Sequence, residues 1–150
     1  MKRLIAIVGG REASPELLEQ ATQVGRLIAR SGFGLVCGGM GGIMEAAAKG
    51  CKEEGGLTVA ILMQDDPQYA NPYMDVVIPT GLGIARNLLV VRSGEAVIAI
   101  DGKYGTLSEI AYALQINKPV IGIKTWDVSE AIIKVNSAEE AIKEVLKVLP

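Results

Sequence analysis

Short runs of uninterrupted apolar residues, each followed by a stretch of helical period, constrain this chain more than any other feature. Residues 4–8, 34–37, 57–63, 76–78, 96–100 and 120–123 have strand length and almost no polar alternation. A strand apolar on both faces must be covered on both, as in a parallel sheet sandwiched between helices. The intervening segments supply the helices. Ser14 stands as a cap before Pro15, and Leu17, Leu18, Ala21, Val24 and Ile28 recur at three and four until Gly32. Ile43, Met44, Ala47 and Cys51 mark a second helix, residues 84–93 a third, and a fourth begins at the Thr106–Glu109 pair, which has capping-box spacing. Ser137 and Glu140 repeat that spacing before Ala141, Ile142, Val145 and Leu149. The expected fold is a single α/β domain over residues 1–150, doubly wound, with a mainly parallel sheet of about six or seven strands in three α/β/α layers.

Composition narrows the function classes. With 49% hydrophobic residues in 150 the chain can bury one sizeable core. A net charge of −2 with both signs interspersed leaves no basic patch of the kind that binds duplexes, so no nucleic-acid partner is expected. Cys37 and Cys51 form no CxxC, and with no histidine in the chain there is no zinc set, so no metal is expected. They read as buried thiols in a reducing compartment. The apolar run at residues 4–8 stops too soon at Gly9-Gly10 to be a signal sequence or membrane span; the expected location is the cytoplasm, with no membrane partner. Without histidine, acid–base work near neutral pH falls to carboxylates, lysine, tyrosine, cysteine or water.

Three of the turns into helices are rich in glycine: CGGMGGIME at 37–45, PTGLGIAR at 79–86 and DGKYGTLSE at 101–109. In an open parallel sheet such turns gather beyond the carboxyl ends of the strands. Glycine admits close approach to the main chain, and bare N–H groups at helix starts favour an anion, phosphate above all. GGMGG is not GxGxxG, since Met44 occupies the third glycine position, and an NAD-type reading with Asp65 as ribose acid has room for only one nucleotide-binding half. The Walker pattern is missing.

GGMGGIMEAAAKG, followed by ARN and DGKYGTLSE, resembles the LOG family, often labelled lysine decarboxylase-like, and more closely its short relatives that include molybdenum-cofactor carriers. The resemblance runs from the first strand to about Lys124. It implies a Rossmann-like nucleotide-binding fold, a homodimer or higher homo-oligomer, and, in members with demonstrated activity, cleavage of the N-glycosidic bond of nucleoside 5'-monophosphates. The family signature PGGxGTxxE stands here with Asp101 for proline and Lys103 for the second glycine; Gly102, Gly105, Thr106 and Glu109 match. The family arginine on the preceding helix matches Arg86, and its usual lysine neighbour is Asn87.

The candidate catalytic residues are Arg86 and Glu109. Glu109 would orient ribose hydroxyls or stabilise oxocarbenium-like charge, unless it serves as the capping-box acid alone. Arg86, a cation in a helix's first turn, asks for a bound anion or a carboxylate such as Glu109. The candidate ligand-binding residues are Gly38, Gly39, Gly41, Gly42, Gly102, Lys103, Gly105 and Thr106. Asp101 would hold a turn or meet Lys103 or Arg86. Arg11, Glu45, Tyr69 and Tyr73 are further candidates for ligand contact, the tyrosines by stacking on a base. The expected ligand is a phosphorylated nucleotide or a nucleotide-like cofactor such as molybdenum cofactor, none being required for folding. The helix at 84–93 is apolar on more than one side, which predicts a homodimer. VGGREAS is similar to DNA-processing Rossmann-like proteins, but the acidic balance and sparse aromatics oppose single-strand binding.

Overall fold

The computed structural model describes residues 1–150. In chain order the elements are β1 (Leu4–Gly9), α1 (Pro15–Arg30), β2 (Gly34–Cys37), α2 (Ile43–Glu53), β3 (Thr58–Leu62), β4 (Val76–Pro79), α3 (Asn87–Ser93), β5 (Val97–Ile100), α4 (Tyr104–Gln115), β6 (Val120–Ile123), β7 (Ile133–Val135) and α5 (Ala138–Val148). Single 3-10 turns lie at Pro67–Tyr69 and Gly83–Arg86. No helix is long and apolar enough to cross a membrane.

All seven strands are parallel, in the order β4-β3-β2-β1-β5-β6-β7. The chain therefore winds outward from β1 to β4, crosses back, and continues outward from β5 on the other side. The apolar runs explain the layers: β1, β2, β5 and β6 are buried along their interiors and packed on both faces. One face carries α1, α2 and α5 over Ile5, Ile7, Leu35, Ile98 and Ile100; the other carries α3 and α4 over Ala6, Val8, Val36, Val97 and Ala99. This is the Rossmann-like, doubly wound α/β architecture.

Local signals that depend on neighbouring residues alone are realised. Ser14 Oγ accepts from the Leu17 N–H at 3.3 Å, and Ser137 Oγ from the Glu140 N–H at 3.2 Å. Both cysteines are buried free thiols; burial pushes Cys37 up to about 12 and Cys51 up to about 11.

Two expectations are corrected. Helix α4 opens at Tyr104, with Lys103 as its N-cap, so Thr106 lies inside the first turn and Glu109 in the second; the two form no capping box. The expected helix at 84–93 is a 3-10 turn followed by α3 from Asn87. The expected six or seven strands are seven, the last being β7, which pairs Ile133 and Val135 with Ile121 and Ile123 at the edge.

Candidate functional site

The order of strands fixes where a site opens. After β1 the chain turns to the α1 face, and after β5, the adjacent strand, it turns to the α4 face. Two loops leaving neighbouring strands in opposite directions leave a crevice between them, at the carboxyl ends of the strands. A cavity of about 460 Å³ lies there. Residues 9–12 from the β1 loop form one wall, and Asp101, Gly102, Lys103, Gly105 and Thr106 from the β5 loop and α4 form the other. Arg86, Asn87 and Glu109 line it too, with Met44, Met63 and Ile84 supplying apolar surface.

The β5–α4 wall is built to present N–H groups. Asp101, a non-glycine residue at φ 53°, and Gly102 at φ 99° turn the chain sharply as it leaves the sheet. A side chain at Gly102 would overlap the Thr106 hydroxyl, so glycine is required there by space as well as by φ. The first N–H of the region with a partner inside the chain is that of Leu107, donating to the Lys103 carbonyl at 3.0 Å. No oxygen of the chain accepts from the five N–H groups of residues 102–106, and Lys103 gives no side-chain cap. These orphan donors and the helix dipole make the start of α4 electropositive.

Arg86 adds a full charge. It is 5% exposed and comes from the turn before α3, with Nη1 donating to the Ile61 carbonyl of β3 at 2.9 Å. Its Nε has no partner, and no carboxylate approaches it closely enough for an ion pair. The expected pairing with Glu109 is therefore not made. Burial pulls the guanidinium below its usual range, opposed by the nearby Glu109. Glu109, 8% exposed and bonded to nothing, is pushed up to about 8 by burial, which the field of Arg86 only partly offsets. At neutral pH it is mostly a neutral acid. The cavity thus holds an uncompensated buried cation beside a protonated carboxyl, an arrangement that is costly until an anion enters. Arg11 and Lys103 add positive charge at the lip, opposed by Glu12 and Asp101.

The glycines of the β2–α2 turn are placed differently. Gly38, Gly39, Gly41 and Gly42 lie outside the cavity lining. A β-carbon on Gly38 would overlap the Arg86 guanidinium, so this glycine makes room for the cation and serves the cavity indirectly. Gly39 packs against Ala60 and Leu62, Gly42 against Gly10 and Arg11, and Gly41 faces open space. Gly42, Glu45 and Tyr73 border a shallower depression of about 300 Å³ between α1 and α2. Neither Tyr69 nor Tyr73 reaches the main cavity, nor does Asp65; Arg11 does.

Gly9, Gly10, Glu12 and Met63 also line the cavity and are not among the candidates the sequence offers. Gly9-Gly10 after an apolar run was the available signal. Asn87, noted only as a departure from the family pattern, donates to Ser108 Oγ at 3.1 Å and so ties α3 to α4 beneath the cavity. No group of three histidine, cysteine or acidic side chains is assembled that could hold a metal ion.

Comparison with known proteins bears on the fold and the family. The molybdenum cofactor binding protein of the phototrophic bacterium Rippkaea orientalis superposes with a TM-score of 0.94 at 36% identity, over 100% of this chain and 99% of that one. The molybdenum cofactor carrier protein of Chlamydomonas reinhardtii does so with a TM-score of 0.89 at 29% identity, over 99% and 98%. The cytokinin riboside 5'-monophosphate phosphoribohydrolase of Mycobacterium tuberculosis is 33% identical over 129 residues, 76% of this chain and 67% of its own. The family model of SLOG cluster4 matches residues 2–148, and the chain belongs to that family.

Proposed function

We propose that the cavity between β1 and β5 binds a phosphorylated nucleotide or a nucleotide-like pterin cofactor, its phosphate on the N–H groups that open α4 and against Arg86. One observation carries the reading: the unpaired amides of Gly102, Lys103, Gly105 and Thr106 and a buried guanidinium without a counterion belong to residues lining one cavity at one rim of the sheet. A dianionic phosphate satisfies both at once, with charge-assisted bonds to the amides and to Arg86. The cavity has the size of a small-molecule site. The names of the two structural relatives, a binding protein and a carrier for molybdenum cofactor, favour a protein that holds such a ligand.

The second reading is an N-glycosidic hydrolase acting on nucleoside 5'-monophosphates. It is favoured by the Mycobacterium tuberculosis relative and by Glu109, whose neutral carboxyl is suited to donate a proton to a departing base. In either case the protein works as a homodimer in the cytoplasm. Ile84, which lines the cavity, and Leu89 of α3 are exposed apolar residues, as are Val76 and Ile78 of the edge strand β4.

The test is incubation of the purified protein with AMP and related monophosphates, with free base followed by chromatography and binding followed by calorimetry. Binding without base release supports the carrier reading, and base release lost in both Glu109→Gln and Arg86→Ala supports the hydrolase. If neither AMP nor inorganic phosphate binds, the anion site does not exist. Mass spectrometry of material denatured after purification identifies any ligand retained by the protein.

A further inference from the structure

The β5–α4 turn does not hold its shape by itself. Its two carbonyls that flank Gly102 and Lys103 are tied to the segment after β6: Thr125 Oγ1 donates to the Asp101 carbonyl at 2.7 Å, and the Trp126 indole N–H donates to the Lys103 carbonyl at 2.9 Å. The Asp101 N–H donates in turn to the Ile123 carbonyl at 3.1 Å, so the two segments are laced at three points. The Trp126 ring also stacks on Tyr104, with centroids 6.2 Å apart and planes 27° from parallel. Lys124 sits at φ 45°, which bends the chain after β6 so that two consecutive side chains reach the turn.

In a trans peptide the C=O and the N–H point in opposite directions. Fixing the Asp101 carbonyl toward Thr125 therefore aims the Gly102 N–H away from that segment. The Lys103 carbonyl already accepts from the Leu107 N–H of α4, and the Trp126 indole adds a second donor, reinforcing the direction of the Tyr104 N–H. Both are among the five unpaired donors of residues 102–106, of which Gly102, Lys103, Gly105 and Thr106 line the cavity. A donor on each carbonyl also polarises its peptide and strengthens the N–H on the other side.

We propose that Thr125 and Trp126 are positioning residues for the anion site: they set the direction and the strength of the amides without touching the ligand. The inference rests on the binding reading above and extends it to a segment outside the cavity lining.

Thr125→Val removes the hydroxyl and nearly keeps the shape; Trp126→Phe keeps a ring against Tyr104 and removes the indole N–H. Each lowers the affinity for AMP and for inorganic phosphate about three- to tenfold, the scale of one lost hydrogen bond. Thr125→Ser, which restores the donor, recovers most of the loss, and the melting temperatures of the soluble variants do not track the order of affinities. A second readout needs no variant. Trp126 is the one tryptophan of the chain, so the wild-type protein gives a single indole N–H resonance, and phosphate binding shifts it through the shared peptide. Wild-type binding of AMP or phosphate tests the site itself. Given such binding, an unmoved indole resonance, or affinities in both variants within twofold of wild type, overturns the positioning role and leaves the site standing. If the wild-type chain binds neither probe, both fall together.

Discussion

Replacing Glu109 by glutamine should make the protein more stable in alkali, and the size of the effect follows from where the carboxyl sits. Its pKa is about 8 in the folded chain against 4.5 for a free side chain. The folded state therefore holds a proton that the unfolded chain releases between those values. Protons bound to the folded state exceed those bound to the unfolded state throughout that window, so stability falls as pH rises through it. At about 1.4 kcal/mol for each tenfold difference in proton affinity, the ceiling is about 5 kcal/mol. Hydration through the cavity reduces this to about 2 to 4 kcal/mol, still a large share of the stability of an ordinary domain. The chain contains no histidine, and the two buried thiols, which the unfolded chain begins to ionise as pH approaches 9, contribute equally to wild type and variant and cancel in the difference. Urea unfolding of wild type and Glu109→Gln at half-unit steps from pH 5 to pH 9 reads the difference. The wild type should lose stability relative to the variant as pH rises, and the gap should level off above about pH 9. Parallel curves would refute the argument that Glu109 is held neutral by burial.

The same geometry makes two further predictions. Arg86→Ala should reduce phosphate affinity about a hundredfold, and Gly38→Ala should imitate it in part by displacing the guanidinium, with calorimetric titration as the check. Ile78→Glu combined with Leu89→Glu should convert a homodimer to monomer in analytical ultracentrifugation, because Ile78 shares with Ile61 the sheet face that α3 leaves uncovered at the β4 edge.

How much of this was legible in the sequence depended on the range of the interaction. The central strands could be read because burial on both faces leaves an unbroken apolar run, as in residues 97–100 and 120–123. Ser14-Pro15 and Ser137-Glu140 could be read because a cap involves only its own helix. The Thr106–Glu109 pair has the same spacing and is not a cap: the Lys103 carbonyl accepts both from Leu107 within α4 and from Trp126, 23 residues away, and α4 starts one turn early. Strand β7 escaped notice because three residues at an edge carry too little pattern; its pairing with β6 defines it. Glycine content alone could not separate room for a ligand from room for the protein. In the β2–α2 turn Gly38 accommodates Arg86 and Gly42 accommodates the β1 loop; Gly9, which leaves room for Ile43 and the Ile100 carbonyl, and Gly10 also line the cavity because β1 lies beside β5.

Whether such a site carries or cleaves its ligand turns on the proton of Glu109. A phosphate bound at Arg86 neutralises the charge that draws the Glu109 pKa down, and it adds negative charge of its own nearby; both effects hold the carboxyl in its acid form. A neutral acid donates hydrogen bonds to the bound ligand. It can protonate a leaving base, but it cannot take a proton from attacking water or stabilise an oxocarbenium ion by charge. Hydrolysis by this chain would therefore be driven from the leaving-group side, with kcat/KM falling above about pH 8 as Glu109 of the free protein ionises and kcat holding to higher pH. A base whose ring nitrogen lies beyond the reach of that single proton would be held intact, which is the behaviour of a carrier.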